Sequence, residues 1–133
     1  MARVLIIDDD IDSAEILAEI MRMEGHEVHI GYNGQDGVRL ATEHTPQLAL
    51  LDIEMPLLDG PGVAYEMLLH NMGLEQVPVV FLSGSPALNQ IASKVGTPYF
   101  LSKPYSYQQI LALVSRALAE RAAPTWALDK REA

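Results

Sequence analysis

The sequence predicts an α/β fold in which a five-stranded parallel sheet has helices on both faces. Five short apolar runs alternate with longer amphipathic segments along the 133 residues, and four of these runs are apolar at every position. Strands that are buried on both faces have such continuous apolar runs, whereas strands with one face in water alternate. Right-handed crossovers between these units lead to an open sheet with helices on both faces. We expect the strand order 2-1-3-4-5, which is one of the two common doubly wound orders.

The predicted strands are residues 4–7, 28–30, 48–51, 79–82 and 99–101. A helix is predicted after each strand. The first helix is predicted to begin at Asp12, which has capping-box spacing to Glu15, and to stop at Gly25, with Asp10 as a further cap candidate. The second, residues 34–43, is weaker because it contains two glycines, which are poor helix formers.

The sequence marks the remaining three helices with different clarity. Asp59, followed by Gly60-Pro61, is an acceptable cap for the third helix. The fourth, residues 87–95, is short. Ser106 and Gln109 have capping-box spacing and open the fifth helix, which carries the clearest amphipathic stripe in the chain. This stripe comprises Ile110, Leu113, Val114, Ala117 and Leu118.

Length and charge restrict the class of protein. We expect one domain over residues 2–121, then a frayed tail over residues 122–133 and no output domain. Trp126 in that tail is a candidate anchor on the body of the protein or on a second subunit. Residues 1–60 hold 13 acidic and 3 basic residues, whereas residues 61–133 hold 5 and 6. Such an acidic first half argues against direct binding to a nucleic-acid backbone.

Other classes are excluded by what the sequence lacks. It contains no cysteine, so disulfides, thiolate metal sites and cysteine nucleophiles are ruled out. No apolar run approaches the roughly 20 residues of a membrane span, and the N-terminus does not have the pattern of a signal peptide. We therefore expect a cytoplasmic protein. The four histidines lack metal-ligand spacing, and we expect them to be structural or surface residues.

Polar side chains follow four of the predicted strands at the point where each strand ends. Asp8 and Asp9 follow the first strand, Asp52 the third, Ser83-Gly84 the fourth, and Lys103 comes shortly after the fifth. Ligands of open α/β sheets bind outside the carboxyl ends of the strands. The sequence therefore predicts that these groups converge at one edge of the sheet.

Such a convergence has a chemical consequence. Three carboxylates at one edge repel one another unless a cation lies between them. Hard oxygen ligands favour Mg²⁺, or alternatively Mn²⁺, over zinc, and a hydroxyl with an ammonium group suits an anion beside the metal. A metal, a carboxylate nucleophile and an anion-binding lysine are the parts needed for phosphoryl transfer to an aspartate. No P-loop is present, so a nucleotide is not the obvious phosphate source.

These motifs resemble those of the receiver domain of two-component response regulators. The matching segments are Asp8-Asp9, Leu51-Asp52-Ile53-Glu54-Met55-Pro56 with Asp59-Gly60, Leu82-Ser83-Gly84 and Lys103-Pro104. Each segment is weak by itself, but all four occur in order, each at the end of an apolar run. The resemblance covers about residues 2–121 and implies a flavodoxin-like (βα)5 regulator of the stand-alone, chemotaxis-regulator type.

The resemblance implies that the acids bind a metal and accept phosphate. Asp52 would be the phosphoacceptor, taking a phosphoryl group from a histidine kinase or a histidine phosphotransfer protein. Asp9 would bind Mg²⁺ directly, and Asp8 directly or through water. Glu54 would offer its backbone carbonyl to the metal, which Asp52 would also contact.

The other matched residues would bind the phosphoryl group and transmit the signal. Ser83, beside the Gly84 amide, would hydrogen-bond a phosphoryl oxygen, and Lys103 would pair with its charge. In the family the peptide bond that matches Lys103-Pro104 is usually cis, which orients the lysine. Phe100 matches an aromatic switch residue that turns inward as the hydroxyl moves toward the phosphate.

A protein of this kind catalyses only its own phosphorylation, with Asp52, Ser83 and Lys103 as the catalytic set, and its own dephosphorylation. It is therefore not an enzyme for a separate substrate. Its output would be contact with an unidentified downstream protein or onward transfer of the phosphate, and a homodimer is an open alternative. Two departures bear on that output: Ser83 stands where threonine is more frequent, and the segment from Ser83 to Lys103 is shorter than in many relatives.

Three other hypotheses about the function stay open at this point. A small Mg²⁺-dependent phosphohydrolase with an aspartyl-phosphate intermediate would also use Asp52 and Glu54, although the chain has no cap insertion. A flavodoxin-like flavin module would need a phosphate-binding loop of small polar residues after the first strand, where this sequence has Asp8, Asp9 and Asp10. A receiver that signals only by constitutive contact would not need the complete acceptor set.

Overall fold

Five strands and four helices make up the part of the chain that the structure, a computed structural model, describes: residues 1–52, 73, 74, 76–86 and 88–125. In chain order they are β1 (Arg3–Ile7), α1 (Ile11–Met23), β2 (Glu27–Gly31), α2 (Gly34–His44), β3 (Leu48–Asp52), β4 (Val79–Ser83), α3 (Leu88–Val95), β5 (Tyr99–Ser102) and α4 (Tyr107–Glu120). The predicted helix that starts near Asp59 lies outside the described residues. Helices α3 and α4 are therefore the fourth and fifth helices predicted from the sequence.

All five strands pair in parallel in one sheet with the order β2-β1-β3-β4-β5. This confirms the predicted topology. Asp52 lies opposite Leu82 across the β3–β4 pair, and Ser83 lies opposite Ser102 across the β4–β5 pair. The carboxyl ends of β1, β3, β4 and β5 are thus neighbours at one edge of the sheet.

The burial of each strand explains its apolar pattern. Every residue of β3 and β4 is buried, and β1 is buried apart from Arg3. Strand β2 forms one border of the sheet and is only half-buried over most of its length, which accounts for its interrupted apolar run. Leu5 and Phe81 belong to the core on the side of α2 and α3, while Val4 and Val80 belong to the core on the side of α1 and α4.

Helix caps differ from the prediction at one position and agree at another. Helix α1 begins at Ile11, and the side chain of Asp10 accepts hydrogen bonds from the backbone N–H groups of Asp12 (3.1 Å) and Ser13 (3.3 Å). The capping box predicted for Asp12 and Glu15 is wrong, whereas the cap predicted at Asp10 is confirmed, because Asp10 already satisfies the N–H groups of the first turn. The capping box of α4 is confirmed, since Ser106 and Gln109 each accept a hydrogen bond from the other's backbone N–H.

The first residues after α4 pack against the domain, in contrast to the predicted frayed tail. The N–H of Ala122 donates to the hydroxyl of Tyr99 (3.2 Å), and the N–H of Thr125 donates to the carbonyl of Gly96 (3.2 Å). Pro124 between them is buried. The ring of Tyr99 is fully buried, so its hydroxyl offers these residues a fixed acceptor at the end of the helix. Trp126 lies outside the described residues.

None of the helices that the structure describes is both long and apolar enough to span a membrane.

Candidate functional site

Three carboxylates gather at the carboxyl ends of β1 and β3. Asp8 and Asp52 are each 4% exposed, whereas Asp9 is exposed. One carboxylate oxygen of each lies within 4.8 Å of the other two. The backbone holds Asp8 on both sides, because its N–H donates to the carbonyl of Gly31 (3.0 Å) and its carboxylate accepts the N–H of Asp10 (2.9 Å). Acids this close and this buried need a compensating positive charge.

Lys103 supplies part of that charge. Its Nζ lies 2.6 Å from Oδ2 of Asp52 and 3.8 Å from Oδ2 of Asp8. The backbone N–H of Lys103 donates to the carbonyl of Ser83 (2.8 Å), and the Lys103-Pro104 peptide bond is cis, as the resemblance implies. When all are ionised, three carboxylates and one ammonium leave a net charge of −2, which one divalent cation would neutralise.

Ser83 ends β4 at the same edge and is fully buried. Its Oγ accepts a hydrogen bond from the N–H of Ser85 (2.8 Å), which leaves the hydroxyl hydrogen available for a further acceptor. Gly84 follows and is exposed. The hydroxyl is therefore fixed at the edge of the sheet by the turn that leaves β4.

The structure brings together most of the residues that the sequence singled out. Asp8, Asp9, Asp52 and Lys103 form one cluster. Phe100 is not part of it: it lies opposite Phe81 in the β4–β5 register, and its side chain is 38% exposed. Glu54 lies outside the described residues.

Tyr105 was missed by the sequence analysis. Burial raises the pKa of its phenol, Asp8 and Asp52 raise it further, and Lys103 lowers it. The phenol is therefore close enough to the site for these three charges to act on it. Tyr105 lines an open groove of about 520 Å³ together with Ser13, Ile16, Lys103 and Pro104. Its position two residues after the predicted lysine was the only available signal, and such a spacing has no chemical meaning until the turn is known.

Burial also shifts the titration of Asp8. Desolvation raises the pKa of Asp8 from 3.8 to about 6, and the neighbouring carboxylate of Asp52 adds to this effect. The N–H of Asp10 and the charge of Lys103 oppose the shift without cancelling it. Because the folded state binds this proton more tightly than the unfolded state, the contribution of Asp8 to the stability of the metal-free protein falls as pH rises from about 4 to 6.

Asp8→Asn is therefore expected to stabilise the metal-free protein at pH 7 by about 1–3 kcal/mol. Asparagine keeps an oxygen for the N–H of Asp10 but removes the buried charge. Urea unfolding in a chelator across pH 4–7 measures the effect, which should grow up to about pH 6 and then level off. Asp12→Asn, an exposed change in α1, should shift stability by no more than about 0.5 kcal/mol. Equal stability of the Asp8→Asn variant and the wild type at pH 7 would contradict this account.

Comparison with known proteins identifies the family of this chain. A family model described as the response regulator receiver domain matches residues 4–115. The transcriptional regulatory protein PrrA of Mycobacterium tuberculosis is 33% identical over 121 residues, covering 90% of this chain and 51% of PrrA. The DNA-binding dual master transcriptional regulator RpaA of Synechocystis is 34% identical over 126 residues, covering 91% of this chain and 50% of RpaA. The chain thus spans about half the length of these curated relatives.

Solved structures show the same fold. A CheY-like receiver domain protein from Methanospirillum hungatei superimposes with a TM-score of 0.78 at 23% identity, covering 91% of this chain and 96% of the other. NtrX from Brucella abortus superimposes with a TM-score of 0.75 at 26% identity, covering 90% of this chain and 27% of NtrX.

The match over residues 4–115 includes all four strand ends that form the acidic edge. It favours a signalling module over the phosphohydrolase and the flavin module, and nothing in the comparisons supports the phosphohydrolase. Hard carboxylate ligands with a net negative charge are also compatible with Mg²⁺, as in receiver domains. The chain belongs to the response regulator receiver domain family of two-component signalling systems.

Proposed function

We propose that Asp52 accepts a phosphoryl group from a phosphohistidine on a kinase or a phosphotransfer protein, and that Mg²⁺ assists the transfer. One observation carries this proposal: the buried carboxylate of Asp52 lies 2.6 Å from the ammonium of Lys103, inside the acidic cluster. A carboxylate nucleophile beside a fixed cation suits attack on an anionic phosphoryl group.

The proposed step exchanges one bond for another. An oxygen of Asp52 forms a bond to phosphorus while the bond from phosphorus to the donor imidazole nitrogen breaks, and the electron pair leaves with that nitrogen. Lys103, which now pairs with Asp52, would then pair with a phosphoryl oxygen. The Ser83 hydroxyl and the Gly84 amide would donate hydrogen bonds to the same group.

The carboxylates fit the metal that this chemistry needs. Mg²⁺ keeps several waters and takes only one or two protein carboxylates, and Mn²⁺ accepts similar ligands. We propose Asp9 as a direct ligand, Asp8 as a direct or water-mediated ligand, and the Glu54 carbonyl and Asp52 as further ligands. Bound Mg²⁺ would neutralise charge that develops on the phosphoryl oxygens.

The protein would act only on itself. Water attack on the phosphoaspartate in the same site would reset the signal. Phe100 and Ser83 are proposed as the switch pair. The exposure of Phe100, on the strand beside that of Ser83, supports this because its ring is not fixed in the core. Such a switch needs a differential stabilisation of only a few kcal/mol.

Output is proposed to occur by contact with another protein or by onward phosphotransfer, through a receiver unit of residues 2–121. The matched segment, residues 4–115, falls inside this unit. The acidic character of residues 1–60, with 13 acidic and 3 basic residues, supports a protein partner over nucleic acid. The packing of residues 122–125 on Tyr99 and Gly96 suggests that they stay with the unit.

A surface beside the site suits the phosphodonor protein. Ile16 on α1 is 64% exposed and lines the groove with Pro104 and Tyr105, next to Lys103. This exposed apolar side chain beside the charged site could be buried by a partner that docks in the groove. We propose that the donor protein contacts α1 and the turn after β5 at this groove.

Ile16→Lys is expected to slow phosphotransfer from a phosphorylated histidine kinase or phosphotransfer protein by at least about tenfold. The substitution removes an apolar contact that the complex would bury and places a charge in the interface. The donor used is the one, among those tried, that phosphorylates the wild type fastest. The rate with acetyl phosphate should not change, since this small donor needs no docking surface. Met23→Lys is the matched control: Met23 is 66% exposed on the same helix but does not line the groove. Equal slowing of both variants, or slowing of neither, would argue against this docking surface.

Incubation of the wild-type chain with acetyl phosphate tests the proposed function. In Mg²⁺, intact-mass analysis should show one added phosphoryl group, which hydroxylamine removes. In a chelator the adduct should be absent or greatly reduced. A chain that takes up no phosphate in Mg²⁺, or takes it up equally in the chelator, would refute the proposal.

A further inference from the structure

A cavity of about 420 Å³ opens at the amino ends of β1, β3 and β4, at the opposite end of the sheet from the acidic cluster. The residues just before these strands, Ala2, Gln47 and Pro78, line it together with Leu118 and Arg121 at the end of α4. A volume of this size is typical of sites for small molecules.

Hydrogen bonds between neighbouring segments fix the walls of this cavity. The N–H of Gln47 donates to the carbonyl of Arg3 (2.8 Å), and the N–H of Glu27 donates to the carbonyl of Ala2 (2.9 Å). The N–H of Ala2 donates to Nδ1 of His26 (3.1 Å), whose ring also lines the cavity. The site is therefore formed by the sheet and its connections as they stand.

Two side chains in the wall have used an acceptor atom and keep their donors. Oε1 of Gln47 accepts the N–H of Arg3 (2.9 Å), so its amide NH₂ group remains available. Nδ1 of His26 accepts the N–H of Ala2, so the neutral ring carries its hydrogen on Nε2. Burial lowers the pKa of His26, and the N-terminal ammonium lowers it further against the charge of Glu24, so the neutral ring prevails at neutral pH.

His26 differs in this respect from the histidines at the border of the sheet. The rings of His29 and His44 stack with their centroids 3.6 Å apart, and each has a glutamate oxygen near its Nε2, at 3.0 and 3.7 Å. Nε2 of His26 has no such acceptor within the part of the chain that the structure describes, although the residue is half-buried. A molecule that binds in the cavity can supply the missing acceptor.

Arg121 adds a positive charge at the rim of the cavity. Its backbone is in the left-handed region, with φ 55°, where glycine is the usual residue at a helix end because a side chain costs energy there. Nε of Arg121 donates to the carbonyl of Leu118 (3.3 Å), and its guanidinium forms no ion pair with any described residue. A chain with a net charge of −9 thus leaves a cation without a carboxylate at a position where glycine would fit better.

We propose that this cavity binds a small organic acid or phosphate ester, a molecule with one anionic head and a short apolar body. The head would accept hydrogen bonds from Arg121, His26 and Gln47. The body would contact Val77 and Leu118, which also line the cavity. Arginine binds carboxylate and phosphate oxygens through paired hydrogen bonds, and none of the described residues that line the cavity is acidic.

Titration of the isotope-labelled full chain, followed by NMR, tests the site with simple probes. Hexanoate has both head and body, acetate has the head alone, and hexanol has the body alone. Hexanoate should bind at least about tenfold more tightly than acetate or hexanol, because only hexanoate uses both the donors and the apolar wall. It should shift the amide signals of Ala2, His26 and Gln47 and leave that of Gly84, at the acidic edge, unchanged. Comparison with hexyl phosphate identifies which of the two heads the cavity prefers.

Two variants remove the donors and keep the fold. Arg121→Gly should weaken hexanoate binding by at least about tenfold, and the chain should stay folded because glycine is favoured at this helix end. Gln47→Glu keeps an acceptor for the N–H of Arg3 but replaces the amide NH₂ with a carboxylate oxygen, and should weaken binding by a similar factor. Arg116→Gln is the matched control: Arg116 lies on the same helix, pairs with Glu120 at 3.2 Å and does not line the cavity.

Arg116→Gln should bind hexanoate as the wild type does. Wild-type binding in Arg121→Gly and Gln47→Glu, hexanol binding as tight as that of hexanoate, or shifts centred on Lys103 would overturn the proposal. The titration is run without Mg²⁺ and without a phosphodonor, so its result does not depend on phosphorylation of Asp52.

Discussion

Asp52→Asn is expected to abolish phosphorylation of this chain by acetyl phosphate. The side chain at this position is buried and in contact with the ammonium of Lys103. An asparagine can occupy the same space, but its neutral amide does not form an acyl phosphate. Intact-mass analysis in Mg²⁺ should therefore show a phosphoryl adduct on the wild type and none on the variant.

The comparison needs a control that loses an aspartate elsewhere. Asp12→Asn removes an exposed carboxylate from the first turn of α1, outside the acidic cluster. This variant should take up phosphate at the wild-type rate. A phosphoryl adduct on Asp52→Asn at the wild-type level would mean that another residue is the acceptor.

Lys103→Met is expected to slow phosphoryl uptake by about two orders of magnitude, because the transferring group loses a cation fixed at the reacting oxygen. The same change should destabilise the metal-free protein by about 2–3 kcal/mol at pH 7. It leaves the buried carboxylate of Asp52 without its 2.6 Å ion pair and Asp8 without its more distant one. Methionine keeps most of the apolar stem, so the loss reports mainly on charge.

Rates from quenched time courses and urea unfolding in a chelator measure the two effects of Lys103→Met. Arg39→Met is the control for loss of a cation. The side chain of Arg39 is 57% exposed and, among the ion pairs described, pairs only at the surface, with Asp36 and Glu43. It should change stability by less than about 1 kcal/mol and leave uptake unchanged. Wild-type uptake in Lys103→Met would remove Lys103 from the proposed mechanism.

The strands could be located from the sequence because burial on both faces leaves a direct trace in the residues, and their order was expected from the doubly wound pattern with right-handed crossovers. Strands β3 and β4 are buried at every position, and their apolar runs are unbroken. The edge strand β2 is half-buried and carries His29 in its run. Once the order of the strands is known, the acids after β1 and β3 must be neighbours.

Details that depend on competition between nearby groups could not be predicted. The sequence offers both Asp10 and Asp12 as caps of α1, and only the backbone path decides that Asp10 takes this role. Residues 122–125 were predicted as a tail because their composition does not show that the hydroxyl of Tyr99 accepts a hydrogen bond from the N–H of Ala122. Both outcomes are set by geometry beyond the local sequence.

The candidate site also has some features that the sequence predicts and others that only the three-dimensional structure reveals. Its acids were predicted because each follows a strand, whereas the proximity of Tyr105 depends on the turn after β5. The stacking of His29 on His44 joins a strand to the end of a helix. No spacing rule detects such a pair, because the helix between them sets the distance.

Locating the phosphoryl group on the chain is the most direct test of the central proposal, that Asp52 is the acceptor. Borohydride reduces an aspartyl phosphate to homoserine, so the phosphorylated wild-type chain can be reduced, digested and sequenced by mass spectrometry. We predict homoserine at position 52 and an unmodified aspartate at positions 8 and 9. Homoserine at either of those two positions, or a stable phosphate on a serine or histidine with none at Asp52, would contradict the account.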